Sequence, residues 1–193
     1  MARPGRGGGR ALVRWAAGTG PGAVDQAMEA AERFLGSGPH CFVPQRACFV
    51  CGPERREGDG LRIFPGTVPR TSLVAAPWTP QPAPTGPGGA VSAEIVWSAL
   101  DCPAIWALIA SSPAGCPEKV VSGTLATALG GEVTPGTPHV IVAWPAGARG
   151  RRRFAGAALF TADGHLLAKS LQTCVVVEDG VPLGAHRWRE GAR

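Results

Sequence analysis

The chain has 193 residues, 45% of them hydrophobic, which is enough for one domain with an ordinary core. It contains 28 glycines, 19 prolines, no tyrosine and a large excess of arginine over lysine, so we discount Gly and Pro as structural signals except where they cluster. The net charge of +5 includes three arginines at 151–153, but no RNP-like, zinc-finger or helix-turn-helix pattern accompanies them, which argues against nucleic-acid binding.

The amino-terminal segment and the cysteines bear on location. Arginines interrupt each apolar run near the start of the chain, which argues against a secretory signal peptide. The six cysteines are scattered and do not form a disulfide framework. We therefore expect a cytoplasmic protein with reduced thiols and no membrane association.

The first part of the chain predicts one short helix and one hairpin. Gly36 and Gly38 end the helix, and Pro65-Gly66 starts the turn between the two strands. The five prolines of the following loop remove too many backbone donors for regular structure. In chain order, the predictions are a disordered Arg/Gly-rich tail (1–22), an amphipathic helix (23–35), strands at 61–64 and 71–76, and a proline-rich loop (77–89).

A long helix over residues 92–110, SAEIVWSALDCPAIWALIA, is the central prediction. Apolar residues recur every three to four positions and continue around most of its circumference, which is typical of a buried helix. Nineteen helical residues span roughly 28 Å, so the rest of a small domain can wrap around them. Glu94, Asp101 and Pro103 interrupt the apolar run and argue against a membrane span.

Four β-strands are predicted after this helix. Asp163-Gly164 is a strong hairpin signal, and the other connections are also short, which implies antiparallel neighbours. The predicted fold class is therefore α+β, with one antiparallel sheet wrapped around one long helix. The strands are expected at 120–129, 139–144, 153–160 and 166–177. The expected domain limits are a tail (1–22), a helix and loop (23–47), the main domain (48–180) and a second tail (181–193).

Four short motifs follow one another along the chain: CFVCGP from Cys48, GLRI from Gly60, VWSALDCP from Val96 and GRRRFAGAALF from Gly150. In this order they resemble hotdog-fold acyl-CoA thioesterases of the PaaI-like superfamily. In that fold an antiparallel sheet wraps a long central helix. The resemblance covers roughly residues 48–177 and implies hydrolysis of a thioester of coenzyme A or of acyl carrier protein.

The resemblance also implies roles for residues of the long helix. A helix-borne acid acts as base or nucleophile, and its position matches Asp101. A backbone N–H at the helix start, at Ala93 or Glu94, polarises the thioester carbonyl. Eight helical residues rise about 12 Å, so one helix cannot bring both groups to one carbonyl. We therefore expect a site shared between antiparallel helices of a homodimer, or of a dimer of dimers, with no metal or redox cofactor.

Each of these roles has an alternative. The Asp-Cys-Pro run from Asp101 is also a helix-start signature, with Asp101 as the N-cap of a helix that begins at Cys102. Glu94 is an alternative working carboxylate, or simply a first-turn acid favoured by the helix dipole. The His-Gly-Gly opening common in PaaI-like enzymes is replaced here by Ser-Ala-Glu. Ser92 then caps the helix or donates a hydrogen bond.

The missing histidine keeps two other functions open. A non-catalytic hotdog module that binds or senses acyl-CoA needs no such residue. A hotdog dehydratase would need a histidine paired with the acid, and none lies near the long helix in the sequence.

Candidate binding residues surround these groups. Arginines match phosphate geometry and would hold coenzyme A, although a solvated strand start explains them equally well. Tryptophans either wall an acyl pocket or belong to the core. These candidates are Arg149, Arg151, Arg152, Arg153, Trp97 and Trp106. Three polar strand residues, Ser122, Thr124 and Gln172, are weaker candidates for the pocket border.

The Cys48/Cys51 pair allows two interpretations. We predict a tight turn that leads into the first strand. Zinc binding, together with the nearby His40 and Cys41, is the alternative, although a single CxxC is a weak signal. Cys102 and Cys174 are expected in the core.

Overall fold

The computed structural model describes residues 22–34, 36, 46–81, 87–112 and 119–177. The two predicted tails therefore lie outside the described residues, apart from Gly22. In chain order the elements are α1 (Ala23–Ala31), β1 (Gly66–Thr67), β2 (Val74–Trp78), a 3₁₀ turn (Pro87–Gly89), α2 (Ala93–Ser111), β3 (Val120–Leu129), β4 (His139–Arg149), β5 (Arg152–Thr161) and β6 (Leu166–Val176). The α+β prediction is confirmed.

The six strands form one antiparallel sheet in the order β1-β2-β4-β5-β6-β3. Consecutive hairpins join β4 to β5 and β5 to β6. The second hairpin turns at Asp163-Gly164, as predicted, and Gly164 adopts a positive φ of 92°. Because β3 pairs with β6 and not with β4, the chain crosses the sheet between β3 and β4 and leaves β3 at one edge.

The long helix α2 packs against one face of this sheet, mainly over β4 and β5. Leu100 of the helix, Ile141 of β4 and Leu159 of β5 are completely buried in this layer. Burial of each such side chain contributes about 1.5–3 kcal/mol. In the described part of the chain, α2 is the one helix whose length and composition would suit a membrane span, and here half of that stretch is buried inside the domain.

The short helix α1 covers the opposite face. Ala23, Ala27 and Ala30 are buried against Val140 and Val142 of β4. Successive residues of a strand point to opposite faces, so β4 contacts α2 with one set of side chains and α1 with the other. Both faces of β4 are therefore apolar, which explains its five consecutive buried residues.

The predicted end of the first helix at residue 35 is wrong. Helix α1 ends at Ala31, because the N–H groups of Arg33 and Phe34 turn back to Ala30 and Ala31 in tighter bonds. Phe34 then forms a bridge with Gly66 of β1. Tertiary pairing thus ends the helix before its glycines are reached.

The predicted strand at 61–64 is also wrong. The N–H groups of Leu61 and Ile63 donate to the carbonyls of Phe49 and Val50, and Arg62 between them has a positive φ of 52°. The segment is therefore anchored to the preceding loop. The first strand begins later, at Gly66, where a turn was expected.

The predicted loop at 77–89 contains regular structure at both ends. Pro77 and Trp78 belong to β2, and Pro87–Gly89 forms a 3₁₀ turn. Pro77 fits in β2 because the described part of β1 pairs only with Val74 and Ala75. Beyond these residues that side of β2 has no described strand partner, so the missing N–H of Pro77 leaves no acceptor unpaired there.

Gly66 of β1 lies in close contact with the last turn of α1. A Cβ atom built there would lie 1.6 Å from the carbonyl oxygen of Ala30, which is backbone and cannot rotate away. We expect Gly66→Ala to push α1 off the sheet and to lower the free energy of unfolding by about 1–3 kcal/mol in urea titrations. Gly130→Ala is the matched control, because its nearest atom would lie at an ordinary 3.6 Å. Equal stability of the two variants would contradict this packing.

Candidate active site

Asp101 lies inside α2 and not at its start. The helix runs from Ala93 to Ser111 without a break and includes Pro103, so the alternative of a helix that begins at Cys102 is excluded. Most of α2 faces the core. One stripe with the spacing of a helix face, Glu94, Trp97, Ser98 and Asp101, remains at least partly exposed. Asp101 is the half-buried carboxylate of this stripe.

Two strands supply hydrogen bonds to Asp101. The Nε2 amide of Gln172 on β6 donates to Oδ1, and the hydroxyl of Ser122 on β3 donates to the same oxygen over 3.3 Å. Gln172 Nε2 also donates to Ser122 Oγ over 2.8 Å. The three side chains form one network that holds the carboxylate of α2 against the two last strands of the sheet, β6 and β3.

The environment of Asp101 favours its neutral form. Burial raises the pKa of Asp101, and the hydrogen bonds from Gln172 and Ser122 only partly oppose this effect. Gln172 is completely buried, and its Oε1 has no hydrogen-bond partner within the described parts of the chain. Both hydrogen bonds to Asp101 from the described residues use Oδ1, and none uses Oδ2.

The first backbone N–H groups of α2 have no acceptor within the helix itself. Ser92 occupies the N-cap position, but its side chain makes no capping hydrogen bond. The backbone N–H of Glu94 and the Ser92 hydroxyl lower the pKa of the exposed Glu94 carboxyl. A cavity of about 280 Å³ opens here, between Ala93 and the far end of β3 at Leu129. Its helix terminus carries a partial positive charge that favours a developing anion.

Within one chain Ala93 and Asp101 do not meet. Eight residues of helix separate them, a rise of about 12 Å. Asp101 lies beside the first part of β3, at Ser122, whereas Ala93 lies beside its last residue, Leu129. Strand β3 thus runs between the two halves of the predicted site.

Three cysteines come together next to Asp101. Cys48 and Cys51 of the 46–52 loop meet Cys102 of α2, and their sulfur atoms all lie within 4.8 Å of one another. Hydrogen bonds from the thiols of Cys102 and Cys51 lower the pKa of Cys48. The bonds to Cys48 and Cys51, together with burial, raise the pKa of Cys102. The sequence predicted the loop pair as a tight turn but placed Cys102 in the core without connecting it to the pair.

Solved structures match this arrangement of sheet and helix. A thioesterase superfamily protein aligns over 91% of this chain and 81% of its own, with a TM-score of 0.60 and 15% identity. The chain has the hotdog fold. A phenylacetic acid degradation-related protein from Ralstonia eutropha JMP134, named as a candidate thioesterase, aligns over 76% of this chain and 99% of its own, with a TM-score of 0.56 and 17% identity.

AziG from S. sahachiroi aligns over 55% of this hotdog chain and 84% of its own, with a TM-score of 0.50 and 16% identity. No protein-family model matches the sequence, and no curated protein matches it significantly. These structural matches, at 15–17% sequence identity, confirm the predicted hotdog fold.

The four arginines proposed as binding residues lie at the β4–β5 hairpin of the hotdog domain. Arg149, Arg151 and Arg152 are exposed, and Arg151 Nε donates to the carbonyl of Val176 over 3.1 Å. Arg153 is half-buried and pairs in register with Cys174, which pairs on its other side with Ser122. Opposed residues share a face, so Arg153 stands about 10 Å from the backbone of Ser122, on the side of Asp101.

The two tryptophans occupy different environments. Trp97 is 41% exposed on the same helix stripe as Asp101. Trp106 is buried against Phe34, and its Nε1 donates to Cys51 Sγ over 3.3 Å. The structure therefore brings Trp97, but not Trp106, to the open surface of the site.

The edge strand β3 forms the border of this surface. Its ten residues, VVSGTLATAL, include no charge and no proline. Among the described residues they pair only with β6, with one register shift between Ser122 and Thr124. Native sheets usually protect exposed edges with charges, proline or short strands, because a long plain edge pairs readily with another strand. This edge has none of those protections within the described strand.

The Asp101–Gln172 contact can be measured by a double-mutant cycle. Gln172→Leu removes the donor from a half-buried carboxylate in the native chain, whereas in an Asp101→Ala background it removes an amide that keeps only its hydrogen bond to Ser122. We expect the native background to lose more free energy of unfolding, by about 1–2 kcal/mol in urea titrations. An equal loss in both backgrounds would show that the hydrogen bond does not form.

Proposed function

We propose that this hotdog protein hydrolyses acyl thioesters of coenzyme A or of acyl carrier protein. The observation that carries the proposal is a half-buried carboxylate, Asp101, fixed in the middle of the central helix by Gln172 and Ser122. A half-buried carboxylate lowers the stability of the fold, because burial disfavours its charge. Its presence in the central helix therefore supports a functional role. The thioesterase-superfamily names of two structural neighbours support the substrate class.

In this mechanism Asp101 acts through Oδ2. It either removes a proton from a water that attacks the thioester carbonyl, or attacks that carbon itself. In the first case the water oxygen bonds to the carbonyl carbon, the C–S bond breaks, the acyl group leaves as a carboxylic acid, and the sulfur takes up the proton that Asp101 removed. In the second case the acyl group passes to Asp101 as a mixed anhydride while the sulfur leaves and takes up a proton from solvent as the free thiol. Water then hydrolyses the anhydride, which releases the carboxylic acid and restores Asp101. Gln172 and Ser122 hold Oδ1 and are positioning residues.

A second subunit supplies the donors for the developing oxyanion in our proposal. The support is the plain edge of β3 and its position between Asp101 and Ala93. Antiparallel pairing of two β3 strands about a two-fold axis near Leu125 would set Ser122 of one subunit opposite Leu129 of the other. Asp101 then approaches the Ala93 and Glu94 N–H groups across the dimer. One such donor is worth about 3 kcal/mol to the transition state.

The remaining candidates have subsidiary roles. Trp97 lies on the exposed stripe and is suited to contact the acyl or pantetheine portion. The hairpin arginines are suited to hold phosphates, with Arg153 nearest to Ser122 by register. Trp106 keeps only an indirect part, because it is buried behind the helix. A cytoplasmic location belongs to the proposal, since that is where coenzyme A esters would meet the enzyme.

Binding without turnover is the competing function, and one observation favours it. Glu94 carries an exposed carboxylate beside the donors that would stabilise an oxyanion, and this charge weakens them. Turnover assays distinguish the two functions directly.

Asp101→Asn should reduce kcat on a panel of acyl-CoA esters at least about 1,000-fold, because Asn is neither base nor nucleophile. The assay measures the free thiol that hydrolysis releases. Acyl-CoA affinity should change little. Asp163→Asn is the matched control: it removes the same charge at an exposed hairpin and keeps a favourable Asn-Gly turn. Equal turnover by Asp101→Asn and the native chain would refute the catalytic role, and binding without turnover by the native chain would favour the sensing function.

Ala93→Pro tests whether the site is shared. Ala93 is the first residue of α2, where proline is well tolerated, and Ser92 already has the extended backbone (φ −64°, ψ 152°) that precedes proline. The variant loses one N–H donor but keeps the helix, and kcat should fall about 100-fold. Circular dichroism and gel filtration should match those of the native protein.

Mixing the two inactive variants should restore activity. After co-refolding of Asp101→Asn with Ala93→Pro, half of the dimers are mixed, and each mixed dimer has one intact site of two. Activity should therefore return to about a quarter of the native value. No recovery above the separate variants would place the whole site within one subunit.

A further inference from the structure

The cluster of three cysteines remains outside the proposed reaction. Cys48 and Cys51 come from the 46–52 loop, and Cys102 comes from α2, one residue after Asp101. The Cys48 and Cys102 sulfurs are 3.6 Å apart, and all three lie within 4.8 Å of one another. Two thiolates bound to one tetrahedral zinc, each at about 2.3 Å, would be roughly 3.8 Å apart. The cluster therefore has nearly the spacing of a metal-bound set.

The loop around the pair has a tightly determined backbone. The Gly52 N–H donates to the Cys48 carbonyl over 2.9 Å. A Cβ atom on Gly52 would lie 2.5 Å from the Arg46 carbonyl oxygen and from Cys48 backbone atoms, so only glycine fits. This turn holds the Cys48 and Cys51 side chains on one side, facing α2.

An N–H donor points at one of the sulfur atoms. The indole Nε1 of Trp106 donates to Cys51 Sγ over 3.3 Å. A neutral thiol is a weak acceptor and gains little from such a donor. A metal-bound thiolate gains much more, because the donor stabilises its charge and orients it. The arrangement therefore suits sulfur ligands better than packed thiols.

We propose that Cys48, Cys51 and Cys102 bind one zinc ion. The three thiols lose their protons to solvent on binding, and the ion gains three sulfur ligands in tetrahedral geometry. Within the described ranges the group has no fourth His, Cys, Asp or Glu member, and Cys48 and Cys102 are only half-buried. A solvent molecule can therefore take the fourth position. The ion would connect the loop to α2 beside Asp101 and takes no part in the proposed hydrolysis.

The test uses the reduced full-length protein, stripped with a chelator and checked for folding by circular dichroism. Titration with Co²⁺ should produce the visible bands of a tetrahedral ion and a thiolate-to-cobalt charge-transfer band, saturating at one ion per chain. Zn²⁺ should displace it. Cys48→Ala and Cys102→Ala should each lower the affinity at least about 100-fold. Cys174→Ala is the control, because Cys174 is also buried and free but lies outside the group.

Several results would overturn the proposal. One is a folded, reduced native chain without the charge-transfer band. Another is an equal band in the native chain and both cluster variants, or its equal loss in Cys174→Ala. A Cys48–Cys102 disulfide that persists under reductant, found by peptide mass spectrometry, would assign the short sulfur distance to a covalent bridge. If Cys48→Ala does not fold, Cys102→Ala carries the test. These measurements involve no thioester, so they stand apart from the proposed activity.

Discussion

The packing of α2 onto the sheet is the interaction on which the rest of the molecule depends. The helix is apolar around most of its circumference, and its Leu100 is completely buried together with Ile141 and Leu159 of the sheet. Because the helix lies mainly over β4 and β5, its side nearest β3 is covered less. Asp101 falls on that less covered side. The same packing that stabilises the domain thus determines where a polar group reaches the surface.

The Asp101 network shows how three distant segments of the chain build one site. Helix α2 supplies the carboxylate, β6 supplies the amide of Gln172 and β3 supplies the hydroxyl of Ser122. A half-buried acid opposes folding, whereas Leu or Ala at the same helix position would favour it. Stability alone therefore does not account for Asp101. The arrangement resembles other sites in which a strained or costly group is retained for its chemistry.

The regular elements could be predicted from sequence wherever local periodicity decides the structure. The long helix, the four later strands and the Asp163-Gly164 turn follow from apolar spacing and turn chemistry. Predictions were wrong where pairing between distant segments decides. Residues 61–64 pair with the loop before them, and α1 ends early because Phe34 pairs with Gly66. No local pattern contains that information.

The site was predicted less completely, for two physical reasons. In β6 the usual alternation is inverted: Gln172 is buried, whereas its neighbour Leu171 is 55% exposed. A rule that turns apolar residues inward would therefore place Gln172 on the wrong face. The thiol cluster joins residues 54 positions apart, so a CxxC search alone finds only two of its three members. Asp101 was singled out because a charge in an apolar helix is conspicuous and because the family resemblance implies an acid at that position; its catalytic role stays a prediction.

The plain edge of β3 has a consequence for how this protein behaves in solution. Within the described part of the chain, the outward N–H and C=O groups of β3 have no strand partner, and the strand carries no charge to repel a second strand. A monomer with this exposed edge would associate readily with other strands. Self-association that covers β3 would keep the protein soluble. Substitutions that weaken this association should therefore appear first as precipitation during expression.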